Sequence, residues 1–258
     1  MKILILGCGW VGEELARSYL LDDVKVHATV TSVEKQVKLG SQGIQCKVVN
    51  FDTGFDIEFD DTSFDYVLTS IPATSKFDEE TIKTRFQNIK SLLKHIEFKR
   101  HIYLSSVGIY PDIDGLFDEH YNDDLNKRLF IAESIMKELP NTSIFRLGGL
   151  FGKNRIFAKY FENKLCTTGG QPSNFIHLDD VVGMLKKSFK DNIVDDIYNI
   201  VCPLHPSKEE VIRASAAKYN FDLPSEFRHE NSFQKIIDGS KIQNLLNYSF
   251  HYYSPIDF

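Results

Sequence analysis

Tryptophan occurs once, methionine three times and cysteine four times in the 258 residues. Cys8, Cys46, Cys166 and Cys202 lie far apart, with no CxxC pair among them. A disulfide scaffold or a zinc site needs denser or more closely paired thiols, so this spacing favours inert free thiols in a reducing compartment and no bound metal. No run of five basic residues occurs and the formal net charge is −6. Neutralising phosphates takes clustered Lys and Arg, so a dedicated nucleic-acid binder is disfavoured. No apolar stretch approaches the ~18 residues that a membrane span requires. Met1 leads straight into strand-like sequence, so no signal peptide is expected and the chain reads as soluble and cytoplasmic. Internal repeats and low-complexity linkers are also missing.

What is present is an alternation of strand and helix patterns. Lys2 to Leu6 is a short apolar run of the kind that is buried on both faces of a sheet. Val11–Leu21 has helical spacing, Val24–Val30 returns to strand, Val33–Leu39 is helical, and Gln45–Asn50 and Phe64–Ile71 are strand-like, the latter stopped by Pro72. Ile82, Phe86, Ile89, Leu92, Leu93 and Ile96 make a helical stripe; His101–Ser105, a helix over 125–137 and Thr142–Leu147 follow. This order implies parallel strands and an α/β doubly wound sheet, a Rossmann architecture over residues 1–150. After Leu150 the alternation weakens. Residues 151–258 read as a small substrate-binding lobe partly interleaved with the sheet, with a helix from Asp180 to Phe189, a strand at Asp196–Val201, and a helix from Ser207 to Tyr219 whose Ser207 and Glu210 form a capping box.

Gly7, Gly9 and Gly12 give GxGxxG between the first strand and the first helix, the context in which this motif binds a dinucleotide. Gly7 permits the tight turn, Gly9 lets a pyrophosphate approach the backbone and Gly12 lets the helix pack closely on the strand. The pyrophosphate would lie on the free N–H groups that open the helix, beside Trp10 and Val11. At the end of the second strand an acid would read the ribose hydroxyls of NAD. Here Ala28-Thr29-Val30-Thr31-Ser32 contains none before Glu34. Thr31, Ser32 and Lys35 could instead hold a 2′-phosphate, which favours NADP and leaves NAD open. Ile71, Pro72 and Ala73 should border the cofactor at the end of the fourth strand.

GCGWVG at 7–12, the strand-ending Pro72, LSSVGIY at 104–110, RLGGLFGKNR at 146–155 and IHLDDV at 176–181 occur in that order. Together they resemble the atypical NAD(P)-dependent epimerase/dehydratase-like branch of the extended short-chain dehydrogenase/reductase superfamily, over nearly the whole chain. The resemblance implies a nucleotide-binding fold with a small C-terminal substrate lobe. It also implies that Ser106, four residues before Tyr110, polarises a substrate oxygen, which a hydroxyl can do by stabilising developing negative charge; read without it, the serine is equally a strand-end cap. The superfamily's acid/base is a Tyr with a Lys four residues later. No such pair lies between 110 and 140, and counting back from Glu133 puts Leu125 and Leu129 in those places. Tyr110 is the local replacement, with Tyr121 a looser candidate.

Arg155, after the glycine-rich bend, suits a substrate phosphate or carboxylate, or is an exposed loop cation. His177, Asp179 and Asp180 could form a catalytic or metal group. The alternative is that one aspartate caps a helix beginning at Val181 and His177 is a structural strand residue. The leading expectation is an NAD(P)-dependent oxidoreductase or epimerase-like enzyme for a small polar, sugar or nucleotide-sugar-like substrate, with a homodimer as one assembly it allows. The alternative is a catalytically silent NADP-binding sensor or scaffold.

Overall fold

A strand whose residues are almost all buried can sit only inside a sheet covered on both faces, and β1 (Lys2–Leu6) is such a strand, with Ile3 to Leu6 fully shielded. The computed structural model describes residues 1–57, 59–193 and 195–258. After β1 come α1 (Trp10–Leu20), β2 (Lys25–Val30), α2 (Val33–Gly40), β3 (Gln45–Val48), β4 (Ser63–Thr69), α3 (Glu79–Leu93) and β5 (Glu97–Ser106). They are followed by β6 (Gly115–Phe117), α4 (Lys127–Lys137), β7 (Thr142–Leu147), β8 (Gly149–Phe151), α5 (Phe157–Phe161), β9 (Leu165–Cys166), β10 (Phe175–His177) and α6 (Leu178–Asp191). The chain ends with β11 (Ile197–Ile200), α7 (Lys208–Tyr219), β12 (Glu226–Phe227), β13 (Lys235–Ile237) and α8 (Ser240–Leu246).

The main sheet has seven parallel strands in the order β3-β2-β1-β4-β5-β7-β11, flanked by helices. The order reverses between β1 and β4, where Ile3 lies opposite Tyr66 and Leu6 opposite Thr69. A doubly wound sheet opens a crevice at the carboxyl ends of the strands at such a point. The Rossmann expectation is therefore met, and β11 extends the sheet with residues from the last quarter of the chain.

By its internal contacts the chain forms two compact units, each assembled from three stretches. The first comprises residues 1–109, 125–145 and 188–197; the second comprises 110–124, 146–187 and 198–258. The first unit's core joins Leu4 and Leu6 of β1, Val67 of β4, the α3 stripe of Ile82, Phe86, Ile89, Leu92 and Leu93, and Ala132 and Met136 of α4. Burying this many large aliphatic and aromatic side chains, each contributing about 1.5–3 kcal/mol, is the main force holding α3 and α4 in place. Asp78 starts α3 by accepting from the Thr81 N–H at 2.8 Å.

Two local expectations need correction. β5 begins at Glu97, not His101, because Ser63 to Tyr66 of β4 supply hydrogen-bonding partners to Glu97 through Arg100. The stretch 152–174 holds only the short elements α5 and β9. Neither Asp179 nor Asp180 precedes α6, because β10 runs directly into a helix that starts at Leu178. Asp180 is instead fully buried in the second unit and accepts hydrogen bonds from the backbone of His251 (2.7 Å) and Tyr252 (3.1 Å) and from the Tyr248 hydroxyl (3.2 Å).

Candidate functional site

The glycine loop is built as the motif requires. Gly7 has φ +78°, and a Cβ there would lie 2.5 Å from Ile71 Cγ1, so only glycine fits. A Cβ on Gly12 would meet Ile5 Cγ2 at 3.0 Å, the close approach of α1 to β1. Gly9 is different. Its φ is −88° and a Cβ would find only the Gly7 carbonyl, at 3.8 Å. The fold therefore tolerates a side chain at Gly9, and the space that side chain would fill is open. Gly9 is also the N-cap of α1 and supplies no side-chain acceptor, so the helix presents uncapped N–H groups, a favourable seat for an anion.

This loop borders a cavity of 470 Å³ in the first unit, the size of a small-molecule site. Gly7, Cys8 and Gly9 line it after β1, Thr29 to Thr31 at the end of β2, Val49 to Asp52 after β3, and Ser70 to Pro72 after β4, with Lys35, Phe77 and Arg85. Every lining strand contributes its carboxyl end. Of the sequence-derived candidates, Gly7, Gly9, Thr31, Lys35, Ile71 and Pro72 meet here. Trp10, Val11, Gly12, Ser32 and Ala73 do not line it. Val11 is buried and Ala73 belongs to the core cluster. The Ser32 hydroxyl oxygen caps α2 by accepting from the Lys35 N–H at 3.3 Å.

Sequence reasoning missed one wall of this cavity. Arg85, almost fully buried, donates through Nε to Asp52 Oδ1 at 2.5 Å, through Nη2 to Asp52 Oδ2 at 2.8 Å and through Nη1 to the Pro72 carbonyl at 2.8 Å. Its guanidinium lies 4.2 Å from the centroid of the Phe77 ring. A bidentate pair of this kind ties the loop after β3 and the loop after β4 to α3, because the planar guanidinium fork gives two parallel hydrogen bonds to one carboxylate. The available signal was a cation interrupting the apolar stripe of α3, between Ile82 and Phe86 and Ile89. Cys8, another lining residue, is held protonated by burial, which pushes its pKa up to about 12.

Ser106 ends β5 in the first unit. Its Oγ accepts from the Gly108 N–H at 3.0 Å, which leaves the hydroxyl proton to be donated. The preceding Ser105 is buried and donates to Glu133 Oε1 at 2.5 Å. Leu129, on α4, packs against the apolar core cluster.

Tyr110, Tyr121, Arg155 and His177 belong to the second unit. The buried Tyr110 hydroxyl donates to Asn199 Oδ1 at 2.8 Å and accepts from Arg146 Nη1 at 2.8 Å. Burial raises its pKa against the opposing pull of Arg146. Tyr121 packs edge-on to Tyr110 and Phe117. Arg155 closes a tight bridge with Gly152, its N–H donating to the Gly152 carbonyl at 2.9 Å. His177 ends β10, with its ring 3.8 Å from that of Tyr252 and its Nδ1 accepting from the Asp179 N–H at 3.1 Å.

No family model matches the chain. Protein YeeZ of Escherichia coli (strain K12) is 28% identical over 269 residues, covering 99% of this chain and 97% of that protein. Among solved structures, UDP-glucuronic acid 4-epimerase from Bacillus cereus in complex with NAD is 20% identical with a TM-score of 0.79, over 100% of this chain and 94% of that one. The human epimerase family protein SDR39U1 with NADPH is 17% identical with a TM-score of 0.69, over 99% of this chain and 96% of that one. The chain thus has the fold of the NAD-dependent epimerase/dehydratase proteins, the extended short-chain dehydrogenase/reductase architecture.

Proposed function

We propose that this protein is an NADP(H)-dependent oxidoreductase or epimerase-like enzyme acting on a small polar substrate of the nucleotide-sugar kind. The observation that carries this reading is the cavity over the glycine loop, whose open space is the space a side chain on Gly9 would fill. Similarity in fold to a UDP-glucuronic acid 4-epimerase supports the substrate class. Similarity to proteins solved with NAD or with NADPH supports a nicotinamide dinucleotide, and the acid-free end of β2 favours NADP. Cytoplasmic residence belongs to the same reading and is supported by four free cysteines.

The residues fit a dinucleotide as follows. Gly7, Gly9 and the opening turn of α1 would receive the pyrophosphate, Thr31 and Lys35 the adenosine 2′-phosphate, and Ile71 and Pro72 would border the far end. When bound, the nicotinamide supplies hydride transfer at its C4. Ser106 donates its hydroxyl proton to the reacting substrate oxygen and stabilises charge developing there. Tyr110 is the acid/base candidate; its raised pKa keeps the proton on it at neutral pH and favours the acid role, for which the proton now donated to Asn199 Oδ1 turns to the substrate. Arg155 pairs with a substrate anion.

A second reading, a dinucleotide-binding sensor without turnover, is favoured by Leu129, a partly buried apolar residue packed against the core where the superfamily places its lysine. Calorimetric titration with NADPH, NADH, NADP and NAD tests what the two readings share. Micromolar binding is expected, lost in Gly9→Val with the melting temperature unchanged; absence of binding for all four dinucleotides overturns both. Turnover then separates them. Under the enzyme reading Ser106→Ala lowers kcat about a hundredfold, as loss of one such donor does. Under the sensor reading no carbonyl or nucleotide-sugar substrate oxidises bound NADPH.

A further inference from the structure

Lys35, the cation beside Thr31 at the cavity edge, is not free to serve a ligand alone. Its Nζ lies 2.9 Å from Oε1 of Glu13, one turn into α1 from the glycine loop. The other oxygen of Glu13 lies 3.8 Å from Lys38 Nζ and 3.7 Å from Arg17 Nη2. Three cations from two helices thus surround one carboxylate. That carboxylate is well shielded, at 18% exposure, whereas the cations are 32% to 59% exposed. The arrangement has a geometric and an electrostatic effect, and they oppose each other. Glu13 holds Lys35 across the gap between α1 and α2, where a phosphate on the ribose at the end of β2 would arrive. It also cancels part of the positive potential that such a phosphate would feel.

We propose that Glu13 sets the discrimination between NADPH and NADH by partly neutralising the cation cluster of Arg17, Lys35 and Lys38. This rests on the reading of the cavity as a dinucleotide site and adds to it a residue outside the cavity lining. The pyrophosphate is common to both dinucleotides, so its repulsion by Glu13 largely cancels in their ratio. The dianionic 2′-phosphate belongs to NADPH alone, so Glu13 acts on the preference between them.

The test is calorimetric titration of wild type, Glu13→Gln and Lys35→Met with NADPH and NADH at low and physiological salt. Glutamine keeps an oxygen acceptor for Lys35 and removes the charge. Glu13→Gln is expected to tighten NADPH about threefold to tenfold at low salt, less at physiological salt, and to tighten NADH by less, so that the NADPH-to-NADH preference rises. Lys35→Met is expected to weaken NADPH selectively. Titration with 2′,5′-ADP and 5′-AMP should reproduce the same selectivity without a nicotinamide. An unchanged or lowered NADPH-to-NADH preference in Glu13→Gln, with wild type still binding either dinucleotide, overturns the role of Glu13 and leaves the cavity reading intact. Wild type that binds neither dinucleotide overturns the cavity reading, and the role of Glu13 with it.

Discussion

His101 is fully buried in β5, its ring nitrogens 2.9 Å from Thr69 Oγ1 and 3.0 Å from Thr142 Oγ1. Burial lowers its pKa to about 3, from an unfolded value near 6.5. Below pH ~6.5 the unfolded chain takes up a proton that the folded chain refuses until about pH 3. His101 therefore contributes stability at neutral pH that declines as pH falls through this window, at up to ~1.4 kcal/mol per pH unit. His27 and His177, both lowered chiefly by burial, have the same sign. Urea midpoints at pH 7 and pH 5 should show a drop for wild type and a smaller drop for His101→Gln. An equal drop in both would place the titration elsewhere.

Between neighbouring residues and the whole chain, the ends of elements show which interactions are local. Ser207 and Glu210 form the capping box read from sequence: the Glu210 carboxylate accepts from the Ser207 N–H at 2.8 Å, and Ser207 Oγ accepts from the Glu210 N–H at 3.3 Å. Ser207→Ala should cost about 1 kcal/mol, read as a shifted denaturant midpoint with unchanged slope. The start of α6 is not local in this sense. Asp180 looked like a cap by sequence, but its carboxylate serves backbone groups some seventy positions away, a pairing that no window of sequence contains. Likewise Glu97 to Arg100, in which Phe98 is the one apolar residue, join β5 because β4 pairs with them.

At the scale of the molecule, each unit draws on distant stretches of chain. The first includes residues 188–197, where Phe189 stacks on Tyr66 with ring centroids 4.7 Å apart and an interplanar angle of 20°. A fragment of residues 1–150 has the whole glycine loop but lacks this stretch and β11. It should give no cooperative thermal transition and no defined near-ultraviolet dichroism, because Tyr66 loses the Phe189 ring stacked on it and the sheet loses its β11 edge. A fragment that melts cooperatively near the temperature of the full chain would contradict the division into units.

The sequence by itself determined the features governed by neighbours in the chain. These are the alternation that makes a parallel sheet, the three glycines with their distinct steric duties, the absence of an acid at the end of β2, and the cap of α7. Each depends on φ, on spacing or on a hydrogen bond spanning a few residues, so each can be read in order. Tertiary structure alone decided that Asp52, Phe77 and Arg85 close one wall of the cavity, that Glu13 of α1 meets Lys35 and Lys38 of α2, and that the late strand takes the sheet edge beside β7. Those pairings join charges or strands that are brought together only when α1, α2 and α3 pack on the sheet. Their free energy depends on distance in space, to which separation along the chain is no guide.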